Sequence, residues 1–238
     1  MMPTPASLLP PNESRRLETL RAYDILHSLQ EPLFTDVVEV IATLFNVPIS
    51  LIALVDADEV EYKATYGLSG LRRQPRAEAI CSMAVRQQQA TVFTDLRSEH
   101  SLTPEAEAAA RDKGLLFYAG VPLCMPNRHC IGTLCIIDQQ PRPFSAPEQQ
   151  VLEQFAHLIG RLIAVRHYCR TSQEQGEGYW SVVCTELVQQ VRVIRQLVRQ
   201  LGAYVGTHSS APADLLAKVD QHLTALRWML ADYYTGPL

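Results

Sequence analysis

The stretch IGTLCIIDQQPRPFSAPEQQVLEQFA (131–156) contains a strand pattern and a helix pattern with only a short connection between them. Its first part is dense in apolar and β-branched side chains and predicts a buried strand. Ser145 then stands where a helix N-cap is expected, with Pro147 and Glu148 in the first turn. Apolar residues continue at helical spacing, so 145–170 is predicted to be one long amphipathic helix.

Further strands and helices can be followed outward from this segment. LLFYAGVPLCM (115–125) and HCIGTLCIID (129–138) are predicted to form a hairpin. Additional strands are predicted at ISLIALVD (49–56), VEYKATYG (60–67) and 90–94, and helices at 12–26, 33–45, 78–88 and 103–113. The fold class is therefore α+β, with an antiparallel sheet covered by helices.

Composition excludes several classes of protein. The chain has 238 residues, 47% of them apolar, and a formal net charge of −4, so neither disorder nor nucleic-acid binding is expected. Apolar stretches such as VPISLIALV (47–55) are too short to cross a membrane, and the first residues do not resemble a signal peptide. We therefore expect a cytoplasmic protein with a flexible N-terminus over 1–11 and reduced cysteines.

Six segments resemble, in order and spacing, the bacterial GAF domains of sensory proteins. They are PNESRRLETLRAYDIL (11–26), VPISLIALVD (47–56), Gly67-Leu68, PRAEAICSMAV (75–85), LFYAGVPL (116–123) and 131–156. The resemblance covers about residues 10–168, and the GAF domain is assigned to 12–170. It implies a cytoplasmic sensory or protein-interaction module with a pocket between the sheet and its covering loops.

The resemblance does not identify a ligand, and the cofactor stays unknown. Cyclic-nucleotide GAF domains carry an Asn-Lys…Phe…Asp-Glu signature, of which only Phe144 and Glu148 are found here. Bilin-binding members use a cysteine that the corresponding segment SEHSLTPEAEAAARDK (98–113) lacks. The cysteine set of the free methionine sulfoxide reductases cannot be placed on this chain.

The resemblance also places candidate ligand-binding residues, which are Cys81, Met83, Asp95, Phe117 and Tyr118. They are expected on a floor of three strands and under a lid that includes 95–113. Because Phe117 and Tyr118 are neighbours on a strand, they point to opposite faces, and only one of them is expected to line the cavity. The alternative is a collapsed cavity filled by the protein's own side chains.

The six cysteines leave different kinds of chemistry open. Cys81 begins a short helix and is either a reactive thiol or a small residue packed beside the pocket. Cys124 and Cys130 face each other across the hairpin, where a disulfide or a metal pair with His129 is the alternative to free thiols. In a reducing compartment we expect unpaired thiols and no metal site, with Cys135 in the core.

Two more amphipathic helices, predicted over 179–201 and 215–234, form a second domain (179–238) after a linker at 171–178. Each carries an apolar stripe without a predicted partner in the chain. A second copy is therefore expected to cover both stripes in a dimeric four-helix bundle. The residues predicted at this homodimer interface are Val183, Leu187, Val191, Ile194, Leu223, Leu226 and Leu230.

The segment YWSVVCTELVQQVRVIRQL (179–197) resembles the first dimerisation and phosphotransfer helix of histidine kinases, and the second helix resembles the returning helix. Thr185 stands at the position of the phosphorylated histidine, followed by Glu186 at the acidic position. A threonine hydroxyl does not replace the imidazole nucleophile, and no ATP-binding motif is found. The resemblance implies a degenerate hairpin without kinase chemistry; the alternative is an unrelated dimerising hairpin.

Three functions compete. The resemblances favour a non-catalytic cytoplasmic signal-transduction module, in which a GAF sensor is coupled to a dimeric stem that docks a response regulator or an intact histidine kinase. A second hypothesis is a small-molecule or redox enzyme with Cys81 as its nucleophile. A third is a GAF domain that binds a non-covalent chromophore or haem. Neither nucleic acid nor a membrane is expected as a partner.

Overall fold

The computed structural model describes residues 8–29, 31–171, 176–202 and 210–233. Three helices open the chain: α1 (Glu13–Ala22), α2 (Ile25–Ser28) and α3 (Pro32–Phe45). The strands are β1 (Ile49–Val55), β2 (Glu59–Tyr66), β3 (Arg73–Pro75), β4 (Thr91–Phe93), β5 (Phe117–Cys124) and β6 (Cys130–Asp138). Two helices lie between strands, α4 (Cys81–Gln87) and α5 (Pro104–Asp112), and three follow them, α6 (Ala146–Thr171), α7 (Gly176–Gly202) and α8 (Ala213–Tyr233).

The six strands form one antiparallel sheet in the order β3-β2-β1-β6-β5-β4, which confirms the predicted α+β class. The central strands β1 and β6 are buried along their whole length because both faces of the sheet are covered. A strand in this position is apolar on both faces, which explains the runs ISLIALV and CIGTLCIID. The sequence does not predict the short edge strand β3, because Arg73 and Gln74 read as part of a polar loop.

Two predicted helix caps are confirmed. The hydroxyl of Ser145 accepts a hydrogen bond from the backbone N–H of Glu148 at 3.4 Å, and the Glu148 carboxylate accepts one from the Ser145 backbone at 2.8 Å. This reciprocal pair is a capping box at the start of α6. Thr103 caps α5 by accepting from the backbone of Ala106 at 3.2 Å, with Pro104 in the first turn.

Helices α7 and α8 form the predicted hairpin, but the hairpin packs on its own chain. α7 contacts α3 and α6, and α8 contacts α6. The residues predicted at a homodimer interface are all buried within this single chain: Val183, Leu187, Val191, Ile194, Leu223, Leu226 and Leu230. The premise that these stripes need a second copy is therefore wrong, because α3 and α6 already cover them.

The covering surface comes from additional apolar faces on α3 and α6. Nine of the 14 residues of α3 are buried, including Val40. A helix that is apolar on more than one side is buried between two layers, here the sheet and the hairpin. Arg195 of α7 adds hydrogen bonds to Asp36 and Glu39 of α3, both at 3.0 Å. Within the described ranges, none of the helices combines the length and the apolar composition that crossing a membrane requires.

The predicted N-terminal segment and linker lie partly outside the described residues. Of the segment 1–11, the structure describes Leu8 onward, and Leu8 is buried among apolar residues. Of the linker 171–178, residues 172–175 lie outside the described part, whereas Thr171 ends α6 and α7 already begins at Gly176. The loop between α7 and α8 is described only from residue 210.

The hairpin of β5 and β6 is closed by a disulfide between Cys124 and Cys130, whose Cα atoms are 3.8 Å apart. The expectation of free thiols at these two positions is therefore wrong. The register of the two strands shifts between Leu123 and Cys124, and this irregularity brings Cys124 opposite Cys130. His129 accepts a hydrogen bond from the side chain of Asn12 at 2.9 Å.

Candidate functional site

A cavity of about 250 Å³ lies on the face of the sheet opposite the helical layers. Ile49 and Leu51 of β1 and Ile137 of β6 form its floor. Its other walls come from the segment between β2 and β3, the start of α4, and three small residues of α5, which are Ala106, Ala109 and Ala110. The volume is slightly below the range of roughly 300–1,000 Å³ that is usual for ligand sites, so the cavity suits a small molecule.

Polar side chains border the cavity toward solvent. Lys113 and Gln139 are exposed and Glu78 is half-buried. The ammonium group of Lys113 donates a hydrogen bond to Oε1 of Gln74 at 2.6 Å. The cavity therefore offers a cation, a carboxylate and two amides at its edge above apolar walls. A small molecule with an apolar body and a polar end matches this distribution.

Two thiols meet at the inner end of the cavity. Sγ of Cys81, which lines the cavity, lies 3.4 Å from Sγ of Cys135 on β6. The hydroxyl groups of Tyr118 and Thr133 lie 3.2 and 3.0 Å from Sγ of Cys135. All of these groups are buried, and the polar atoms of Cys81, Tyr118 and Thr133 all lie within hydrogen-bonding distance of the Cys135 sulfur.

The contacts of this cluster shift the pKa values of the two thiols in opposite directions. The hydrogen bond from Cys135 is the main reason that the pKa of Cys81 is lowered to about 7, against the effect of burial. Burial raises the pKa of Cys135 well above its usual value, and it does the same for the Tyr118 phenol. These contacts favour the thiolate on Cys81, which borders the cavity.

Gly120 allows the Tyr118 ring to reach the thiols. Gly120 and Tyr118 lie on the same face of β5, and Gly120 pairs with Cys135 across the sheet. A Cβ atom at position 120 would lie 2.2 Å from the Tyr118 hydroxyl oxygen. A side chain there would displace the phenol, so the sequence Tyr-Ala-Gly positions the hydroxyl beside Cys135.

The structure brings together only some of the residues predicted for the cavity wall. Cys81 and Tyr118 line the cavity. Phe117 points to the opposite face, where its ring centroid lies 5.7 Å from that of Phe144. Met83 is buried in the packing of α4 and does not reach the cavity. Only one of Phe117 and Tyr118 therefore lines the cavity, as expected, whereas the placement of Met83 in the wall is incorrect.

Asp95 is also misplaced by the prediction. It lies on the surface and accepts hydrogen bonds from the backbone and side chain of Arg97 at 3.0, 2.9 and 2.7 Å. These contacts lower the pKa of the Asp95 carboxyl. It caps the short turn that follows β4 by accepting from the backbone two residues on, as Asp often does in turns.

Sequence reasoning misses several residues of the cavity. Tyr62 of β2 lines it, and burial raises the pKa of its phenol. The alternation of VEYKATYG could have indicated that Tyr62 faces the covered side. The alanines of α5 carry no chemical signal, and Cys135 reads as an ordinary core residue because its neighbours are all apolar.

The family profile of the GAF domain matches residues 30–163, which is more than half of the chain. The chain belongs to the GAF domain family. A cyclic di-GMP phosphodiesterase of Pseudomonas aeruginosa is 26% identical to it over 151 residues, which are 63% of this chain and 25% of that protein. The GAF chain thus spans about a quarter of the length of the curated relative that it matches.

Two solved structures are similar to part of the chain. The GAF domain of an Acinetobacter phosphoenolpyruvate-protein phosphotransferase is 20% identical, with a TM-score of 0.48, and the match covers 64% of this chain and 95% of that one. The free methionine-R-sulfoxide reductase of Neisseria meningitidis is 19% identical, with a TM-score of 0.44, over 60% of this chain and 84% of that one.

The hairpin beyond the GAF domain presents the predicted degenerate phosphoacceptor position to solvent. Thr185 and Glu186 are exposed, and the Thr185 hydroxyl donates to the backbone carbonyl of Ser181 at 2.9 Å. This hydroxyl is used in a local helix contact. Val182 of α7 and Trp228 of α8 are 59% and 74% exposed.

A buried ion pair connects the GAF domain to the hairpin. Nη2 of Arg142 donates to Oε1 of Glu148 at 2.6 Å, and the backbone N–H of Ala211, just before α8, donates to the same oxygen at 3.3 Å. The Arg142 guanidinium also lies 5.5 Å from the centroid of the Phe117 ring. Phe117 adjoins Tyr118 in β5, so residues in contact lead from the cavity to the start of α8.

Proposed function

We propose that this protein is a non-catalytic signal-transduction module, in which a small molecule bound in the GAF cavity changes the state of the α7–α8 hairpin. The observation that carries the proposal is the connection from Tyr118 in the cavity wall, through Phe117 and Arg142, to the Glu148–Ala211 hydrogen bond. A molecule that shifts β5 on the cavity face also shifts Phe117 on the other face.

The chemistry of the cavity defines the class of ligand. Apolar walls and a small volume favour a compact molecule, and Lys113 provides a positive charge at the edge. The occupant that fits best has an apolar body and a carboxylate or another acidic group. Haem and other tetrapyrrole chromophores are disfavoured, because the volume lies below the usual range for ligand sites and none of the described wall residues is a histidine.

The Pseudomonas aeruginosa relative supports a regulatory role, since only a quarter of a protein named for cyclic di-GMP hydrolysis aligns with this chain. We place the signal output of this chain on the hairpin and not in an active site of the phosphodiesterase kind. We also propose that the hairpin is a degenerate relative of the histidine-kinase dimerisation hairpin, which keeps a docking role without the kinase chemistry.

The proposed partners are a response regulator, an intact histidine kinase and a second copy of the chain. The apolar stripes of the hairpin are covered within the chain, so we expect a partner to bind the outer side of the hairpin. The exposed side chains available to it include Val182, Thr185 and Glu186 of α7 and Trp228 of α8. Trp228→Ser would weaken such an interface, whereas Leu187→Ala would destabilise the fold.

A ligand screen combined with hydrogen exchange tests the proposal. Small carboxylic acids are screened by thermal shift against the full chain and the variant Ala110→Phe, in which the added ring occupies the cavity. A compound that stabilises the wild type only is then used in hydrogen–deuterium exchange. We expect changed protection in α8 in the wild type and an unchanged α8 in Phe117→Leu, which retains the cavity.

Two results would contradict the proposal. If every stabilising compound acts equally on Ala110→Phe, it does not bind in the cavity. If a cavity ligand leaves the exchange of α8 unchanged in the wild type, the connection through Phe117 and Arg142 does not transmit a signal.

A further inference from the structure

The pair Cys81–Cys135 has the arrangement that a two-cysteine oxidation requires. The two sulfur atoms are 3.4 Å apart, in van der Waals contact but not bonded. A disulfide has a sulfur–sulfur distance of about 2.05 Å, so the atoms have to approach by about 1.4 Å. Cys81 lies on the short helix α4 and Cys135 on a central strand, so only α4 has to move.

The two sulfurs differ in whether a molecule in the cavity can reach them. Cys81 lines the cavity, which opens to solvent, whereas Cys135 is fully buried behind it and does not line the cavity. A small reagent that enters the cavity therefore meets Cys81 first. Cys135 is in position to react only with a group that has formed on Cys81.

We propose that Cys81 and Cys135 form a redox-sensing dithiol that reacts with small hydroperoxides entering the GAF cavity. This inference uses the same cavity as the proposed function but does not depend on any other ligand. It assigns Cys81 as the attacking thiolate and Cys135 as the thiol that completes a disulfide. The reaction is stoichiometric and sets the state of α4, so it is a sensing step.

The two steps balance in atoms and electrons. The Cys81 thiolate attacks the terminal oxygen of the hydroperoxide, the O–O bond breaks, and the alkoxide or hydroxide takes a proton from water and leaves as an alcohol or water. Cys81 is then a sulfenic acid. The Cys135 sulfur attacks the Cys81 sulfur, loses its proton, and displaces hydroxide, which leaves as water. The two thiols lose two electrons and the hydroperoxide gains them.

The surroundings of the two cysteines support Cys81 as the attacking thiolate and Cys135 as the thiol that completes the disulfide. Hydrogen bonds in the cluster lower the pKa of Cys81 to about 7, so its thiolate is present at neutral pH. The hydroxyls of Tyr118 and Thr133, at 3.2 and 3.0 Å, hold the Cys135 sulfur in place. Cys184 of α7 is an internal comparison, because it is partly exposed and burial raises its pKa to about 11.

The test uses the full chain at pH 7.5, reduced and then treated with one equivalent of hydrogen peroxide or tert-butyl hydroperoxide. Remaining thiols are alkylated at intervals and the peptides identified by mass spectrometry. Cys81 is expected to be consumed at least tenfold faster than Cys184, with a peptide bearing Cys81 joined to one bearing Cys135. In Cys135→Ser, Cys81 is expected to accumulate as a sulfenic acid that a dione probe captures.

Several outcomes would overturn the inference. If Cys81 is consumed no faster than Cys184, the two cysteines are not a redox-sensing pair. The same holds if the oxidation product of Cys81 is identical in the wild type and in Cys135→Ser. If Cys135→Ser does not fold, the rate comparison and the linked peptide in the wild type decide alone. In Cys81→Ser, Cys135 is expected to survive the same dose, and its oxidation would contradict the assigned order. Ligand retention is measured separately, so failure here leaves the proposed function standing.

Discussion

The backbone N–H of Ala211 lies 3.3 Å from Oε1 of Glu148, and this hydrogen bond joins the start of the last helix to the capping box of α6. The side chain of Glu148 is 0% exposed and that of its ion-pair partner Arg142 is 1% exposed. One carboxylate therefore neutralises a buried guanidinium, caps α6 and holds the hairpin.

Glu148→Ala is expected to lower the free energy of unfolding by about 3 to 5 kcal/mol, because it leaves the Arg142 guanidinium buried without its charge partner. Urea denaturation followed by circular dichroism measures the change. Glu107→Ala is the matched control, since it breaks an exposed pair with Arg111 and should cost at most about 1 kcal/mol. If the two variants lower the free energy of unfolding equally, the buried Glu148–Arg142 pair contributes no more to stability than an exposed pair.

Glu13 gives the fold a defined sensitivity to acid. Burial raises the pKa of Glu13, but hydrogen bonds from Arg16 and Arg76 outweigh it and lower the pKa from 4.5 to about 2. A carboxyl whose pKa is lowered by folding stabilises the protein above its unfolded pKa, and this stability is lost as pH falls from about 4.5 to about 2. Glu13→Gln is expected to flatten the pH dependence of unfolding in that window.

The matched control for this pH prediction is Glu18→Gln, on the exposed side of the same helix. The midpoint temperature of thermal unfolding is measured from pH 2 to pH 7 for the wild type and for both variants. If Glu13→Gln keeps the full acid sensitivity of the wild type, the two arginines do not act on this carboxyl as the structure indicates.

The hairpin is expected to be held by its own chain. Leu187 is 1% exposed, so Leu187→Ala should lower the free energy of unfolding by about 2 to 5 kcal/mol at every protein concentration. Val193→Ala, on the same helix but 41% exposed, should change it by less than about 0.5 kcal/mol. An effect of Leu187→Ala that grows with dilution would instead place Leu187 between two copies.

The disulfide between Cys124 and Cys130 predicts a specific count of reactive thiols. The sequence has six cysteines and two are joined, so four are expected to be alkylated in the denatured, unreduced protein. Closing so short a loop stabilises the fold by about 2 kcal/mol in the chain-entropy model. A mild reductant should therefore lower the stability of the wild type and leave Cys124→Ser/Cys130→Ser unchanged. Six alkylated cysteines without reductant would contradict the pairing.

The sequence predicts the sheet and its helices well because their patterns are local. The caps Ser145 and Thr103 and the opposite directions of Phe117 and Tyr118 follow from backbone geometry alone. The second apolar faces of α3 and α6 are harder to recognise, since a small or β-branched residue such as Val40 or Ala164 is compatible with either face. Because of that ambiguity, the sequence alone predicts a partner for the hairpin outside the chain.

The candidate site depends on contacts between distant segments, which a single sequence does not fix. Cys81 and Cys135 are 54 positions apart, and only the packing of α4 over β6 brings their sulfurs together. The register shift between Leu123 and Cys124 likewise decides the disulfide, and it leaves no local pattern. The resemblance places Asp95 in the cavity wall, but the neighbouring Arg97 holds it at the surface.

Native mass spectrometry of the full chain purified from bacterial cells tests the central claim, that the GAF cavity is a ligand site, most directly. The wild type is expected to carry a non-covalent small molecule at up to one per chain, and Ala110→Phe, with a ring in the cavity, is expected to carry none. A wild type that shows only its own mass, and that retains no small carboxylic acid better than Ala110→Phe does, would contradict it.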